Sequence, residues 1–280
     1  MKTQWKNMTA RFLAFGLTLI VGLGALAACQ QDSEEPEIAS LSDLATLNIS
    51  VQRGTQGDFL AQDIVGEDNV ESQLSQMEKY TDAILELTQG KVDATIMDEG
   101  PAQTFLAAND ELMILPDDYE IEEYALALRL EDTELVEQID ELLEGWHADG
   151  TIDAIKDKYN SDETVNASDI DYNEGASGGT ITMGTEAGFK PYEYRVGDGI
   201  VGIDVEIAAL IAKALDKELV VEDMNFDSLP AALNSGRIDF IAAGMTVTDE
   251  RKENMAFSIP YVDDAKQVAV IRKASWKGGE

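Results

Sequence analysis

The chain has 280 residues, enough for two lobes or one large domain, and 44% of them are hydrophobic, which suffices for a core. Its 55 acidic residues outnumber 20 basic ones, so the formal net charge is −35. This charge repels nucleic acid and anionic lipid surfaces, which excludes both as partners. A solvated acidic coat explains the charge most simply, and a cation-binding or salt-adapted surface is the alternative.

The first 28 residues have the three-part pattern of an export signal. A basic start without acids leads into the apolar run "FLAFGLTLIVGLGALAA", and acidic sequence follows. The ending Leu-Ala-Ala-Cys resembles a bacterial lipobox. That resemblance implies that Cys29 is lipidated and holds an extracytoplasmic protein to the cell membrane by the lipid anchor alone. An ordinary signal peptide and a transmembrane helix are the alternatives.

Cys29 is the only cysteine, which excludes a disulfide within the chain and a cysteine nucleophile or metal site in the folded body. We expect neither a metal nor a cofactor. The only histidine, His147, is expected on the surface.

Residues 29–40 are predicted to form a polar tether, and strands then alternate with helices. Leu47–Gln52 alternates like a strand, and "RGTQGDF" precedes a helix. The pattern continues through the helix, strand and helix of "TDAILELTQGKVDATIMDEGPAQTFLAAN", the strand "EYALALRL" and the helices "TELVEQIDELLEGWHADG" and "TIDAIKDKY".

A polar linker rich in glycine and serine, residues 160–179, separates these elements from a second series. That series reads strand "TITMGT", helix "GIDVEIAALIAKALDK", strand "LVVEDM", helix "FDSLPAALNSG" and strands "RIDFIAAG" and "QVAVIRKA". Strands that alternate with helices predict an α/β fold with largely parallel sheets.

Two segments repeat one pattern. "LTQGKVDATI" (87–96) and "LNSGRIDFIA" (233–242) both place a glycine after a helix, then a base, a β-branched residue, an aspartate and an apolar strand. Two lobes of similar design would explain this repeat, although any connection from helix to strand can have a similar sequence.

The segments "ITMGTEAGFKPYEY", "GIVGIDVEIAALIAKAL" and "NFDSLPAALNSGRIDFIAAGMTVTDERKENMAFSIPYV" resemble the opening half of polar amino-acid-binding proteins of ABC importers. "SLSDLATLNISVQRGTQGDF", "LTQGKVDATIMDEGPAQTF" and the charged helices resemble the other portion. The resemblance implies the two-lobed type II periplasmic-binding fold, with a ligand in the cleft.

The two portions stand in reversed order, which we interpret as a circular permutation. The predicted far lobe (lobe 2) is 41–120 and the near lobe (lobe 1) is 121–280, with the old termini joined through the linker. One hinge crossing is expected to stay covalent, and the other to be cut. A fragment of two fused tandem genes is the alternative.

A free amino acid needs a cation for its carboxylate and an anion for its ammonium group. The resemblance implies that Arg251 binds the carboxylate as a fork, with help from Thr246, and that Gly244 offers its carbonyl to the ammonium group. Asp98 would bind the ammonium group from the far lobe. A surface salt bridge for Arg251 and a helix N-cap for Asp98 are the alternatives.

The turn Gly54–Gly57, which includes Thr55 and Gln56, precedes a predicted helix, so its amides can point at a carboxylate. The resemblance also places Phe189 and Phe226 around the ligand side chain and Glu186 at its far end. A carboxylate there favours glutamine, lysine, arginine or histidine. Ordinary core phenylalanines and a surface acid are the alternatives. Where some relatives have Lys or His, this chain has Gln52 and Met97, which leaves the ligand open.

The resemblance implies a monomeric binding protein that works with an ABC permease rather than an enzyme. An amino-acid-sensing lipoprotein without transport is an alternative of another class. An enzyme on the same fold is a third, with Glu186 and Asp98 as the only candidate acid/base pair.

Overall fold

The structure, a computed structural model, describes residues 35–161 and 164–278, so the predicted signal segment and Cys29 lie outside the described residues. Within the described ranges the strands are β1 Ile49–Gln52, β2 Leu74–Met77, β3 Ala94–Asp98, β4 Leu112–Ile114, β5 Ile121–Tyr124, β6 Ala127–Leu128, β7 Thr180–Thr185, β8 Gly188–Phe189, β9 Glu193–Val196, β10 Gly199–Val201, β11 Glu218–Asp223, β12 Phe240–Ile241, β13 Ala256–Phe257 and β14 Val262–Arg272.

The predicted helices are confirmed, with a few additional short ones. They are α1 Gln56–Val65, α2 Val70–Gln73, α3 Tyr80–Thr88, α4 Glu99–Leu106, α5 Thr133–Asp149, α6 Thr151–Asn160, α7 Ile203–Ala214, α8 Leu229–Asn234 and α9 Asp249–Lys252. Within 35–161 and 164–278, no helix combines the length and the apolarity that a membrane span requires.

The far lobe is built on a sheet in the order β2-β1-β3-β14-β4. Strands β1, β2 and β3 run parallel, whereas β14 lies antiparallel to both β3 and β4. Every residue of β1 and β3 is buried, because helices cover the sheet. Ala94, Ile96 and Met97 give β3 the apolar content that is typical of such a covered strand.

The near lobe repeats this order in its own sheet, β11-β7-β12-β6-β13. Three parallel strands are again followed by an antiparallel strand from a distant part of the chain. The two repeated sequence segments occupy equivalent places. Asp93 accepts a hydrogen bond from the N–H of Asn48 at 3.0 Å, and Asp239 accepts one from Thr182 at 2.8 Å. The internal repeat therefore reflects two lobes of similar design.

Two covalent strands connect the lobes, and this corrects the predicted boundary and hinge. The near lobe was expected to extend over 121–280 with one crossing cut. Instead β14 pairs with β5 between the lobes and then enters the far sheet beside β3. An 11-residue strand is long enough to serve both regions, so both crossings stay covalent.

The prediction of a polar tether is wrong for its described part, residues 35–40, which packs on the far lobe. Ile38 is fully buried and forms a parallel bridge with Trp276, and the Glu35 carboxylate pairs with Arg272 at 2.8 Å. Apolar burial and this ion pair hold both ends of the described chain side by side on the far lobe.

The predicted linker, 160–179, packs on the near lobe where it is described. Val165 and Ile170 are buried, and the hydroxyl of Tyr172 donates to the carbonyl of Ile200 at 2.9 Å. These apolar and tyrosine side chains anchor a segment whose composition is otherwise polar.

Candidate functional site

A small cavity lies between the lobes. The far lobe contributes residues at the ends of β1 and β3 and at the starts of α1 and α3. The near lobe contributes residues that follow β7 and β12, residues of β8, β9 and α9, and Phe226. The lining residues are Gln52, Thr55, Gln56, Tyr80, Asp98, Glu186, Phe189, Glu193, Phe226, Ala243, Gly244, Thr246 and Arg251. The structure thus brings together all nine residues that we predicted for the ligand site.

Arg251 closes one side of the cavity. Thr248 caps α9 by accepting the N–H of Arg251, which fixes where the arginine side chain begins. The guanidinium donates to the carbonyl of Thr246 at 2.8 Å and to that of Gly54 in the far lobe at 3.0 Å. These two bonds use two of the five guanidinium N–H groups, and within 35–161 and 164–278 the other three have no hydrogen-bond acceptor, so they can bind an anion.

Phe226 lies beneath this guanidinium, with its ring centre 5.6 Å from the Arg251 Cζ atom. Burial lowers the pKa of Arg251 from its usual value, against the opposing effect of the Asp98 carboxylate. An arginine keeps its charge under such a shift. The alternative of an ordinary surface salt bridge does not fit these contacts.

Asp98 faces Arg251 from the far lobe and is almost fully buried. Its carboxylate accepts hydrogen bonds from the hydroxyls of Tyr80, at 2.8 Å, and Tyr124, and from the amide of Gln267 at 2.6 Å. Burial raises its pKa, and the three donors oppose this rise. Asp98 begins α4, but its side chain makes no capping bond there and is directed to this cluster instead.

Glu122, on the hinge strand β5, lies behind Asp98 and was not predicted from the sequence. Its carboxylate accepts bonds from Thr246 at 3.2 Å and from Gln267 at 3.3 Å. Burial, then the nearby Asp98 carboxylate, raises its pKa from 4.5 to about 7. Both hinge strands therefore contribute side chains to the cluster that surrounds Asp98.

Gly244 and Phe189 meet at the near-lobe wall of the cavity. Gly244 has a φ of +54°, in the left-handed region that favours glycine. A Cβ atom at this position would lie 2.3 Å from Cε1 of Phe189, so only a glycine fits here. The Phe189 ring also stacks on Tyr80 of the far lobe, with ring centres 6.0 Å apart.

The turn before α1 uses some of its amides internally. Thr55 caps the helix by accepting the N–H of Asp58, and the N–H of Gly54 donates to the Asp58 carboxylate at 2.9 Å. The N–H of Thr55 donates to the carbonyl of Gln52. Of the predicted anion-binding turn, the N–H groups of Gln56 and Gly57, in the first turn of α1, are therefore the ones left to bind a carboxylate.

Glu186 forms the opposite end of the cavity. It is 3% exposed, which does not fit a surface acid, and burial raises its pKa. Two far-lobe side chains approach its carboxylate: the amide of Gln52 at 3.4 Å and the ammonium of Lys79 at 3.8 Å. Lys79 is half-exposed at the rim, so its charge is partly screened.

Three residues of the wall were missed by the sequence analysis: Tyr80, Glu193 and Ala243. The sequence "KPYEY" does carry a signal for Glu193, since an acid among aromatic residues in a short strand is unusual. Tyr80 and Ala243 have no comparable signal. His147 lies on α5, where its Nε2 atom is 2.9 Å from the carbonyl of Pro260.

No group of three or more His, Cys, Asp or Glu side chains in 35–161 and 164–278 is arranged to hold a metal ion. The cavity holds the Arg251 cation together with the carboxyl groups of Asp98 and Glu186, and aromatic rings line the space between them. Such a cavity can bind a zwitterion.

Residues 181–277 match the family of bacterial extracellular solute-binding proteins, family 3. The matched part includes the near-lobe wall of the cavity, from Glu186 to Arg251. Known members of the solute-binding family share substantial sequence with the chain.

The arginine-binding extracellular protein ArtP of Bacillus subtilis (strain 168) is 45% identical over 105 residues, which are 37% of this chain and 41% of ArtP. The L-cystine-binding protein TcyJ of Escherichia coli (strain K12) is 35% identical over 98 residues, 35% of this chain and 36% of TcyJ. The crystal structure of the arginine-bound form of domain 1 from TmArgBP is 39% identical, covering 34% of this chain and 81% of that one, with a TM-score of 0.30. The matched stretches thus span less than half the length of these two curated relatives.

Proposed function

We propose that the protein is an extracytoplasmic solute-binding protein of an ABC importer that captures a free polar amino acid by closing its two lobes. The observation that carries this proposal is the placement of Arg251 and Asp98, from opposite lobes, on one closed cavity. Arg251 supplies cationic N–H donors for the α-carboxylate, and Asp98 supplies an anion for the ammonium group. The names of the curated relatives, which bind arginine, histidine or cystine, agree with this class of ligand.

Closure completes the site because each lobe holds part of the ligand. Thr246 and Gly244 flank Arg251 on the near lobe, and Thr55 and Gln56 approach from the far lobe. Phe189 and Phe226 would enclose the aliphatic part of the ligand, excluding water so that both charge pairs strengthen.

The ligand side chain would end at Glu186, which favours a cationic or amide group. Arginine, lysine, histidine and glutamine therefore remain the candidate ligands. Among the described residues, its side-chain donors are the Gln52 amide and the half-exposed Lys79 ammonium, so a ligand donor would satisfy the buried carboxylate further.

Lipidation at Cys29, partnership with a permease and the circular permutation are further parts of the proposal. The permutation is supported by the reversed order of the two sequence portions. A sensing lipoprotein with the same ligand but no permease would use the same cavity. Catalysis is the weaker alternative, because Arg251 and Asp98 need only bind charge for the proposed role.

A thermal-shift screen of the purified protein against the twenty amino acids tests the function. A ligand at a hundredfold excess over its dissociation constant stabilises the folded state by about 2.7 kcal/mol. We expect a clear shift with one or more of the four candidate amino acids. No shift with any amino acid would reject the proposed function, and product detected by mass spectrometry after incubation would favour the enzyme.

A further inference from the structure

Two carboxyl groups lie close together at the near-lobe wall of the cavity, and neither has a cationic partner among the described residues. Glu193, on β9, and Asp204, on α7, are both completely buried. The backbone N–H of Asp204 donates to the carbonyl of Tyr192, the residue before Glu193, at 3.0 Å, and each carboxyl affects the pKa of the other. Both oxygens of Glu193 and the Oδ1 atom of Asp204 otherwise lack a hydrogen-bond partner among the described residues.

Two ionised carboxylates cannot be held together in a buried site without a large electrostatic cost. The contact becomes favourable when one carboxyl keeps its proton and donates it to the other. Asp204 is the better acceptor, because its Oδ2 atom already accepts the N–H of Gly244 at 2.9 Å and the hydroxyl of Tyr261 at 2.7 Å. Glu193 is therefore the proton donor.

The other groups around the pair give the same assignment. Burial, then the charges of Asp204 and Glu186, raises the pKa of Glu193 well above its usual range, and Asp98 adds to the rise. Tyr192 and Tyr261 surround the pair as neutral phenols, since their pKa values are raised as well. Burial raises the pKa of Asp204 to about 6, so Asp204 is ionised at neutral pH.

Asp204 connects this pair to the ligand cavity. Its bond to the Gly244 N–H holds a residue whose left-handed backbone leaves no space for a side chain against Phe189. Glu193 itself pairs with Phe189 across β8 and β9 and lines the cavity. A change at either carboxyl would therefore alter the positions of Gly244 and Phe189, which both line the cavity.

We propose that Glu193 and Asp204 are positioning residues that share one proton, and that the pair holds Gly244 so that its carbonyl faces the ligand ammonium group. The effect on ligand binding rests on the proposed function, whereas the shared proton does not. The two parts can therefore be tested separately.

The shared proton is tested by the stability of Glu193→Gln against the unchanged protein between pH 5 and pH 8. A folded carboxyl with a raised pKa keeps its proton while the unfolded chain releases it, so stability is lost as pH rises above about 4.5. The glutamine variant cannot titrate here and already carries a donor for Asp204. The unfolding equilibrium constant of the unchanged protein, divided by that of Glu193→Gln, should therefore rise by up to about tenfold per pH unit.

Asp198→Asn is the matched control for the loss of a carboxylate, because Asp198 is exposed in the turn of the same hairpin. Titration of Glu122 and Asp98 occurs in all three proteins and cancels in the comparison. A pH-independent difference for Glu193→Gln would overturn the shared proton.

The positioning role is tested by titrating L-arginine, L-lysine, L-histidine and L-glutamine into each variant at pH 7. Glu193→Gln should keep the affinity within about threefold, since its amide donates to Asp204 as the acid does. Glu193→Leu removes the donor and should weaken binding at least about tenfold. Equal affinity in both variants would overturn the positioning role, whereas absence of binding in the unchanged protein would reject the proposed function and leave the proton test intact.

Discussion

Nη2 of Arg251 in the near lobe donates a hydrogen bond to the carbonyl of Gly54 in the far lobe, 3.0 Å away. Arg251, which we propose binds the ligand carboxylate, therefore also connects the two lobes across the cleft. Two further contacts join the lobes at the cavity rim: Lys79 with Glu186 at 3.8 Å, and Arg53 with Asp227 at 3.9 Å. Both involve half-exposed cations and contribute little individually.

Replacing Arg251 by alanine should abolish ligand binding. The variant removes a desolvated cation from the carboxylate, and breaking such a pair costs about 2–5 kcal/mol, or roughly 30- to 5,000-fold in affinity. Isothermal titration with the amino acid found in the screen measures this loss. Arg237→Ala is the control, because Arg237 is a surface residue paired with Glu222, and its removal should leave the affinity unchanged. Equal affinity in both variants would contradict the assigned role.

Replacing Gly244 by alanine should destabilise the fold and weaken binding. The left-handed backbone costs an alanine about 1–2 kcal/mol, and the contact with Phe189 adds about 1–3 kcal/mol. Gly90→Ala is a matched control, since Gly90 has a φ of +67° with nothing within 4 Å of an added Cβ. Urea unfolding of both variants isolates the contact. A Gly244 variant that is no less stable than the Gly90 variant would contradict the close approach.

Glu122 should make stability depend on pH below neutrality. Its pKa is raised from 4.5 to about 7, so the folded state keeps a proton that the unfolded chain releases. Relative to Glu122→Gln, the unchanged protein should lose stability from pH 4.5 to about pH 7 and change little above it. Thermal melts across this range test the prediction. Glu123→Gln, an exposed neighbour on β5, should give no such trend, and a trend equal in both variants would count against it.

Removing the charge of Lys79 should favour cationic ligands. Its ammonium lies 3.8 Å from Glu186, where it would repel a cationic ligand group. We expect Lys79→Met to tighten binding of L-arginine and L-lysine about threefold to tenfold, with little change for L-glutamine, because the pair is half-exposed and screened. Lys91→Met, at an exposed position, is the control for lost charge. A gain of the same size for L-glutamine would contradict the prediction.

The sequence predicted the helices and strands well because their apolar periods and glycine turns are local features. The family resemblance also named nine of the residues that line the cavity, Arg251 among them through the motif "MTVTDER". It missed Glu122 and Glu193, because their burial depends on β14 and α7, which are distant in the chain. The sequence did not predict that β14 pairs both with β5 between the lobes and with β3 in the far lobe. The neighbouring strands decide where a long strand pairs, and the residue pattern of β14 alone does not show them.

Titration calorimetry with chemically capped ligands tests the central claim most directly. The amino acid found in the screen is compared with its carboxamide, which lacks the negative charge that Arg251 would bind, and with its N-acetyl derivative, which lacks the ammonium group that Asp98 would bind. Our account predicts that each cap weakens binding at least about 100-fold, because a buried charge on the protein is left unpaired. A capped derivative that binds as tightly as the free amino acid would contradict it.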